Sequence, residues 1–136
     1  MEYMFLPLKR YADFSGRSRR MEYWMFALFL VVVNIVLGTV LGVIAGGASL
    51  AGGEGGALAA LGGSMLVLVI LGLAFLVPSL AVAVRRFHDQ DKSGWFVLLG
   101  FIPYVGAVIV LVMMCLEGTK GPNRYGPDPK AEAQTL

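Results

Sequence analysis

Apolar residues dominate three stretches of the chain, about 21–46, 58–84 and 95–116, and polar residues gather between and outside them. From Tyr23 to Val84 the only formal charge is Glu54, and from Trp95 to Leu116 there is none. Uncharged apolar runs of roughly 18 residues or more read as membrane-spanning helices. The first would reach about 39 Å at 1.5 Å per residue, more than a hydrocarbon core of about 30 Å requires, so tilt or fraying is expected. Tyr23, Trp24 and Trp95 sit at the starts of such runs, where amphipathic rings favour the membrane–water boundary. Pro78 predicts a kink around Leu76 to Ser79 in the second run, because proline removes a backbone donor and crowds the preceding turn. In the third run Pro103, between Gly100 and Gly106, permits either one kinked span or the two arms of a re-entrant hairpin. Arms of about ten residues are half what a crossing needs, so a kinked third span is the expectation.

The remaining segments are short. Residues 1–20 place Leu8, Tyr11 and Ala12 on one helical face and Lys9, Arg10 and Asp13 on another, which suits a short interfacial helix. Ser15-Gly16 breaks that pattern, and Ser18 is placed to cap a helix starting at Arg19. Gly46 to Gly56 is mostly glycine and predicts a flexible loop. Arg85 to Gly94 is the densest polar stretch, where Arg85 and Asp89 would pair at i,i+4 if the second helix continues into it. After Leu116, repeated Gly and Pro predict turns, with a flexible tail at 131–136. The expected fold is therefore all-α: an integral membrane helical bundle with three hydrophobic segments and an N-terminal interfacial helix, one membrane domain over 1–130.

Composition narrows this further. The chain is 57% hydrophobic and 15% charged, against roughly 25% charge in soluble domains, so a water-soluble globule is not expected. Cys115 is the sole cysteine, which excludes an intrachain disulfide, and its apolar neighbours predict a buried, inert thiol. No cleavable signal peptide is expected, since the first apolar run far exceeds a signal core of roughly 7 to 15 residues. Lys9, Arg10, Arg17, Arg19 and Arg20 precede the first run, Arg85, Arg86 and Lys92 follow the second, and the glycine-rich loop has no cation. The positive-inside rule then puts the N-terminus and the Arg-Arg loop in the cytoplasm. Three crossings would carry Lys120, Arg124 and Lys130 outside, against the same rule, and a hairpin at Pro103 would remove the conflict.

Four blocks then carry a resemblance. Gly16-Arg17-Ser18-Arg19-Arg20-Met21-Glu22-Tyr23-Trp24, Arg85-Arg86-Phe87-His88-Asp89 with Ser93-Gly94-Trp95, Ile102-Pro103-Tyr104-Val105-Gly106 and the run from Gly121 to Pro129 occur in order. Together they resemble the YhaH-type bacterial inner-membrane proteins, the family of domain of unknown function 805. The resemblance implies a small multi-pass protein of the bacterial inner membrane with no established biochemical role, and it carries over no catalytic residues. Phe87 stands where that family has a leucine-type residue.

Candidate chemistry is sparse. His88 with Asp89, Asp91 and Ser93 has the residue types for proton transfer, but adjacent side chains point apart and Asp89 is poorly placed to orient its neighbour. No catalytic residue is assigned, and a non-enzymatic protein is expected. The same residues make a poor metal set, lacking a second histidine or a nearby thiolate, so neither metal nor cofactor is expected. Within the spans Asn34, Thr39, Ser64 and Ser79 offer polarity without charge, so a small oligomeric transporter or channel is the alternative and not the main reading. Arg17, Arg19, Arg20 and Lys92, with Trp24 and Trp95, are candidate contacts to lipid headgroups, anionic ones included. Gly38, Gly42 and Gly46 form a small-residue face for helix packing, within the chain or in a homo-oligomer. Nucleic acid is not an expected partner, because the cations are juxtamembrane and the aromatic rings sit toward lipid. Finally, Arg85, Arg86, His88 and Asp89 with Asn123 and Arg124 are the candidate members of one polar cap, which requires loop and tail on the same side. The functional expectation is a membrane scaffold or accessory protein, or one that interacts with lipid.

Overall fold

The computed structural model describes residues 2–130, so the expected flexible tail at 131–136 lies outside the described residues. The elements are α1 (Glu2–Lys9), α2 (Arg20–Asp89), a 3-10 helix (Gly94–Phe101) and α3 (Val105–Cys115). The chain divides into two compact units: residues 28–76, and the remainder, which joins the chain up to Ala27 to the chain from Val77 onward.

Unit 28–76 is the interior of α2. Its backbone is helical on both sides of Gly53, which alone within α2 leaves helical geometry, at φ 60° and ψ −143°. The flexible loop expected over Gly46–Gly56 is therefore corrected to helix with a one-residue reversal. A glycine-rich backbone can still close its helical hydrogen bonds, and only the reversal needs a positive φ. The chain returns closely enough that a Cβ on Gly56 would lie 2.2 Å from the Ala48 carbonyl oxygen. Phe29 and Phe75 meet edge to face with ring centroids 6.1 Å apart. Asn34 Nδ2 donates to the Leu30 carbonyl at 2.7 Å and Thr39 Oγ1 to that of Ile35 at 2.8 Å, so both polar side chains are satisfied by their own helix. Gly38, Gly42 and Gly46 have no neighbour within 4 Å of where a Cβ would stand. This stripe is open.

The other unit holds α1, the outer ends of α2, the 3-10 helix, α3 and the tail. Gly16 adopts φ 83°, which ends the N-terminal segment at the predicted break. Ser18 does not cap α2: that helix begins at Arg20, after Arg19 in extended geometry with no side-chain cap. Pro78 is buried, and α2 keeps helical dihedrals through it.

The third apolar stretch departs most from expectation. It is not one kinked helix but two short pieces that fold back on each other. Val105 N donates to the Pro103 carbonyl at 2.7 Å, and Tyr104 between them sits at φ 63° and ψ −58°. This is the rare γ-turn of the strained hand. Beyond the turn a Cβ on Gly106 would lie 2.0 Å from the Leu99 carbonyl oxygen, so the arms touch through backbone. Both ends return to one stretch of α2: Gly94 abuts Val84 and His88, and the Leu116 carbonyl accepts from Arg86. Each arm reaches only about 16 Å, half of a hydrocarbon core. Pro103 cannot supply the amide that a continuous helix would use, and Tyr104 reverses the chain. Cys115, predicted buried, is exposed near the end of α3.

Two substitutions separate these features. Tyr104→Gly should raise thermal stability in detergent by roughly 1 kcal/mol by relieving the turn, whereas Gly106→Ala should lower it by about 1–3 kcal/mol through overpacking on Leu99. Equal effects from both would contradict a tight fold-back.

Candidate functional site

A carboxylate at the last residue of α2 organises the polar residues of this unit. Asp89 Oδ1 accepts from Arg17 Nε at 3.0 Å and from Arg17 Nη2 at 2.8 Å, while Oδ2 accepts from Arg86 Nη1 at 2.6 Å. All three side chains are almost fully buried, with exposures of 1% for Arg17, 5% for Asp89 and 0% for Arg86. The tail closes over them. Thr119 N donates to the Asp89 carbonyl at 2.6 Å, and Arg17 donates to the carbonyls of Thr119 at 2.5 Å and Gly121 at 2.7 Å. A Cβ on Gly118 would stand 1.9 Å from Asp89 Oδ2, so the tail approaches at a distance only glycine permits. Arg86 also donates to the Leu116 carbonyl, and burial pushes its pKa below the usual guanidinium value.

A second buried pair stands beside the first. Arg85 Nη2 donates to Glu22 Oε1 at 3.0 Å, and Arg85 Nε donates to Ser18 Oγ at 2.8 Å. Ser18 N returns a hydrogen bond to the Arg85 carbonyl at 3.1 Å, and Arg85 Nη1 reaches the Asp13 carbonyl. The expected Arg85–Asp89 pair is thus corrected: Arg85 turns to Glu22 at the start of α2, and Arg86, three residues from Asp89, takes the carboxylate. Breaking a buried ion pair leaves an uncompensated charge, so these contacts specify one arrangement of the segments more than they add stability.

His88 belongs to the same unit in a different role. Its Nδ1 donates to the Gly16 carbonyl at 2.9 Å, and its ring stacks on Tyr125 with centroids 3.9 Å apart and planes 4° from parallel. Burial pushes its pKa below the ordinary histidine value, and the Arg124 guanidinium acts in the same direction against the opposing hydrogen bond to Gly16. Facing a carbonyl oxygen, Nδ1 carries a proton. Asn123 Nδ2 donates to the His88 carbonyl at 2.9 Å, and Arg124 pairs with Asp91 at 3.3 Å while lying over the Tyr125 ring at 4.8 Å.

The structure brings together all six residues assigned to the polar cap. Arg85, His88 and Asp89 meet the N-terminal segment, Arg86 joins Asp89 to the Leu116 carbonyl, and Asn123 and Arg124 bind the loop from the tail. It does not assemble His88, Asp89 and Asp91, which face Tyr125, the two arginines and Arg124 respectively; among the described residues no cluster of three metal-ligating side chains exists. Ser93 Oγ accepts from Trp95 N at 3.4 Å and caps the 3-10 helix. Of the residues expected at headgroups, Arg17 is corrected to a buried internal role, because its three donor nitrogens are used by Asp89 and the tail. Arg19 donates to Tyr3 Oη at 2.6 Å, Arg20 reaches Glu117 at 3.2 Å, and Lys92 donates to Gln90 at 3.1 Å. Trp24 Nε1 donates to the Met114 carbonyl at 3.3 Å, whereas Trp95 is 78% exposed. Sequence reasoning overlooked Glu22, Ser18 as a partner of Arg85, Gly118 and Tyr125. Glu22 carried a usable signal, since a carboxylate at the edge of an apolar run requires a cation nearby.

Comparison with known proteins places this architecture in a family. Residues 11–127 match the family described as "Protein of unknown function (DUF805)". The chain is 42% identical over 132 residues to inner membrane protein YhaH of Escherichia coli (strain K12), covering 97% of this chain and 99% of that one. It is 45% identical over 130 residues to inner membrane protein YhaI of the same strain, covering 96% and 97%. No solved structure matches.

Two outcomes follow from the buried charges. Asp89→Asn should destabilise the protein by about 3–5 kcal/mol in chemical unfolding, because two buried guanidinium groups lose their anion. Arg17→Lys should fail to restore the fork that holds Asp89 and the tail together, leaving most of the loss seen for Arg17→Ala. For His88 the folded pKa lies below the unfolded value of 6.5, so the folded state binds its proton less readily. Its stabilisation is present above pH 6.5 and is lost as pH falls through the depressed value. The lone imidazole NMR signal, titrated alongside the unfolding midpoint, checks both; a His88 pKa above 6.5 would reverse the sign.

Proposed function

The chain belongs to the DUF805 family, whose matched relatives are named inner membrane proteins, and we propose that it is a non-enzymatic membrane scaffold or accessory protein. In this reading α2 crosses the bilayer and returns, and the third apolar stretch enters without crossing. The N-terminal segment, the Arg-Arg loop and the tail then fold into a single cap at the cytoplasmic surface. The observation that carries it is Arg17, which bonds to Asp89, Thr119 and Gly121 at once and so supports a reading with all three segments on one side.

Length and charge support the same topology. α2 is the one described helix long and apolar enough to cross a membrane, and its arms of 20–52 and 54–89 span about 50 Å each, ample for a hydrocarbon core of about 30 Å. A fold-back at Pro103 puts all 11 Lys and Arg residues of the chain on one side, which removes the conflict that three crossings create with the positive-inside rule. The transport alternative draws no support from the spans, where Asn34 and Thr39 bond back to their own helix. Association of copies along the open Gly38, Gly42 and Gly46 face is part of the scaffold proposal.

Single cysteines in a Cys115→Ala background test the topology. Ser93→Cys and Lys120→Cys should both react with an impermeant maleimide only from the cytoplasmic side, and Glu54→Cys only from the opposite side. Labelling of positions 93 and 120 from opposite sides would overturn the single cap.

A further inference from the structure

Beside the Asp89 cluster, where the start of α2 meets the end of α3 and the tail, lies a groove of about 630 Å³. Its polar wall carries three cations, Arg19, Arg20 and Lys130, and its apolar wall carries Met21 and Trp24, with Cys115 at its edge. These cations differ from those of the cluster. Arg17, Arg85 and Arg86 are buried and neutralised by carboxylates, whereas among the described residues neither Arg19 nor Lys130 forms a salt bridge, and the carboxylate nearest Lys130 is Asp128, two residues before it. Arg20 has only Glu117 at 3.2 Å, in a pair that is 39% and 57% exposed and therefore weak. Arg19 donates to the neutral Tyr3 hydroxyl, and its Nε is buried without a partner. The charge of the groove is thus three cations against one carboxylate. Met21 is 51% exposed and Trp24 39%, so exposed apolar surface adjoins the cations.

We propose that this groove binds the headgroup of an acidic phospholipid, its phosphate between Arg19, Arg20 and Lys130 and an acyl chain along Met21 and Trp24. The proposal rests on the reading that the cap lies at the cytoplasmic surface of the bilayer. A lipid fits better than a free phosphate because the apolar wall gives the chains a surface that an inorganic anion would leave wet. An acidic lipid fits better than a zwitterionic one because the latter brings its own cation, which would face the same arginines. The headgroup replaces Glu117 as the partner of Arg20, gives Arg19 the anion it lacks and gives Lys130 a closer one than Asp128. It would also fasten the start of α2 to the tail from outside, as Asp89 does from within.

The test uses the native thiol. Cys115 is the only cysteine, is exposed and lies at the edge of the groove. Wild-type protein is reconstituted in nanodiscs of phosphatidylcholine with increasing phosphatidylglycerol, and the rate of maleimide labelling is followed. Labelling should slow as phosphatidylglycerol increases, and protection should weaken at 1 M salt, where screening shortens to about 3 Å. The phosphatidylglycerol fraction giving half-maximal protection should rise roughly fivefold for each cation removed, in Arg19→Gln, Arg20→Gln and Lys130→Gln. Arg20→Lys should stay close to wild type, which separates charge from packing. Equal rates in both lipids, protection that survives the glutamine variants, or a thiol unreactive in either membrane would each overturn the site. Labelling of Ser93→Cys and Lys120→Cys does not depend on the lipid, so one-sided labelling with unprotected Cys115 sinks the groove and leaves the topology standing.

Discussion

One buried carboxylate holds the polar half of this protein together. Asp89 shares its two oxygens between Arg17, from the segment before α2, and Arg86, from the last turn of α2, and its carbonyl receives the amide of Thr119 from the tail. Segments separated by up to 102 positions in the chain thus meet at a single residue. Such an arrangement is costly to desolvate, and its value lies in specificity. Any other placement of the tail would leave a guanidinium or a carboxylate buried without its partner. The Arg85–Glu22 pair applies the same constraint to the two ends of α2. The fold-back of the third apolar stretch follows, because a chain leaving α2 after Asp89 and returning to it at Leu116 and Thr119 has to reverse in between.

Much of this was legible in the sequence. The apolar runs announced membrane helices, and the confinement of charge to short blocks marked where polar contacts had to be sought. The grouping of Arg85, Arg86, His88 and Asp89 with Asn123 and Arg124 was readable from the conflict between the tail's cations and three crossings. The pairing within that group was not. Arg85 and Asp89 satisfy the i,i+4 rule on a helix surface, but that rule describes solvated side chains. Here Arg85 is fully buried and answers to Glu22, a partner 63 residues away. Arg17 was read as a lipid contact for a similar reason: a juxtamembrane arginine looks alike in sequence whether it faces headgroups or an internal carboxylate.

Gly46–Gly56 and Pro103 show opposite limits of reading local composition. Glycine-rich sequence signals flexibility in water, where an open backbone is hydrated, yet the same residues form helix here apart from Gly53. At Pro103 the proline did mark a break, but the reversal is completed by Tyr104 in a conformation that an aromatic side chain rarely adopts. A residue held there against its local preference indicates that contacts on both sides, Gly106 against Leu99 and Leu116 against Arg86, determine the turn.

The central claim is that the tail is locked to Asp89 as part of one folded cap. Amide hydrogen exchange of the protein in a bilayer reads this at a single position. Thr119, whose N–H is held by the Asp89 carbonyl, should be protected as strongly as Ser18, held by the Arg85 carbonyl. Exchange at Thr119 at the rate of a free peptide, with Ser18 still protected, would contradict the account.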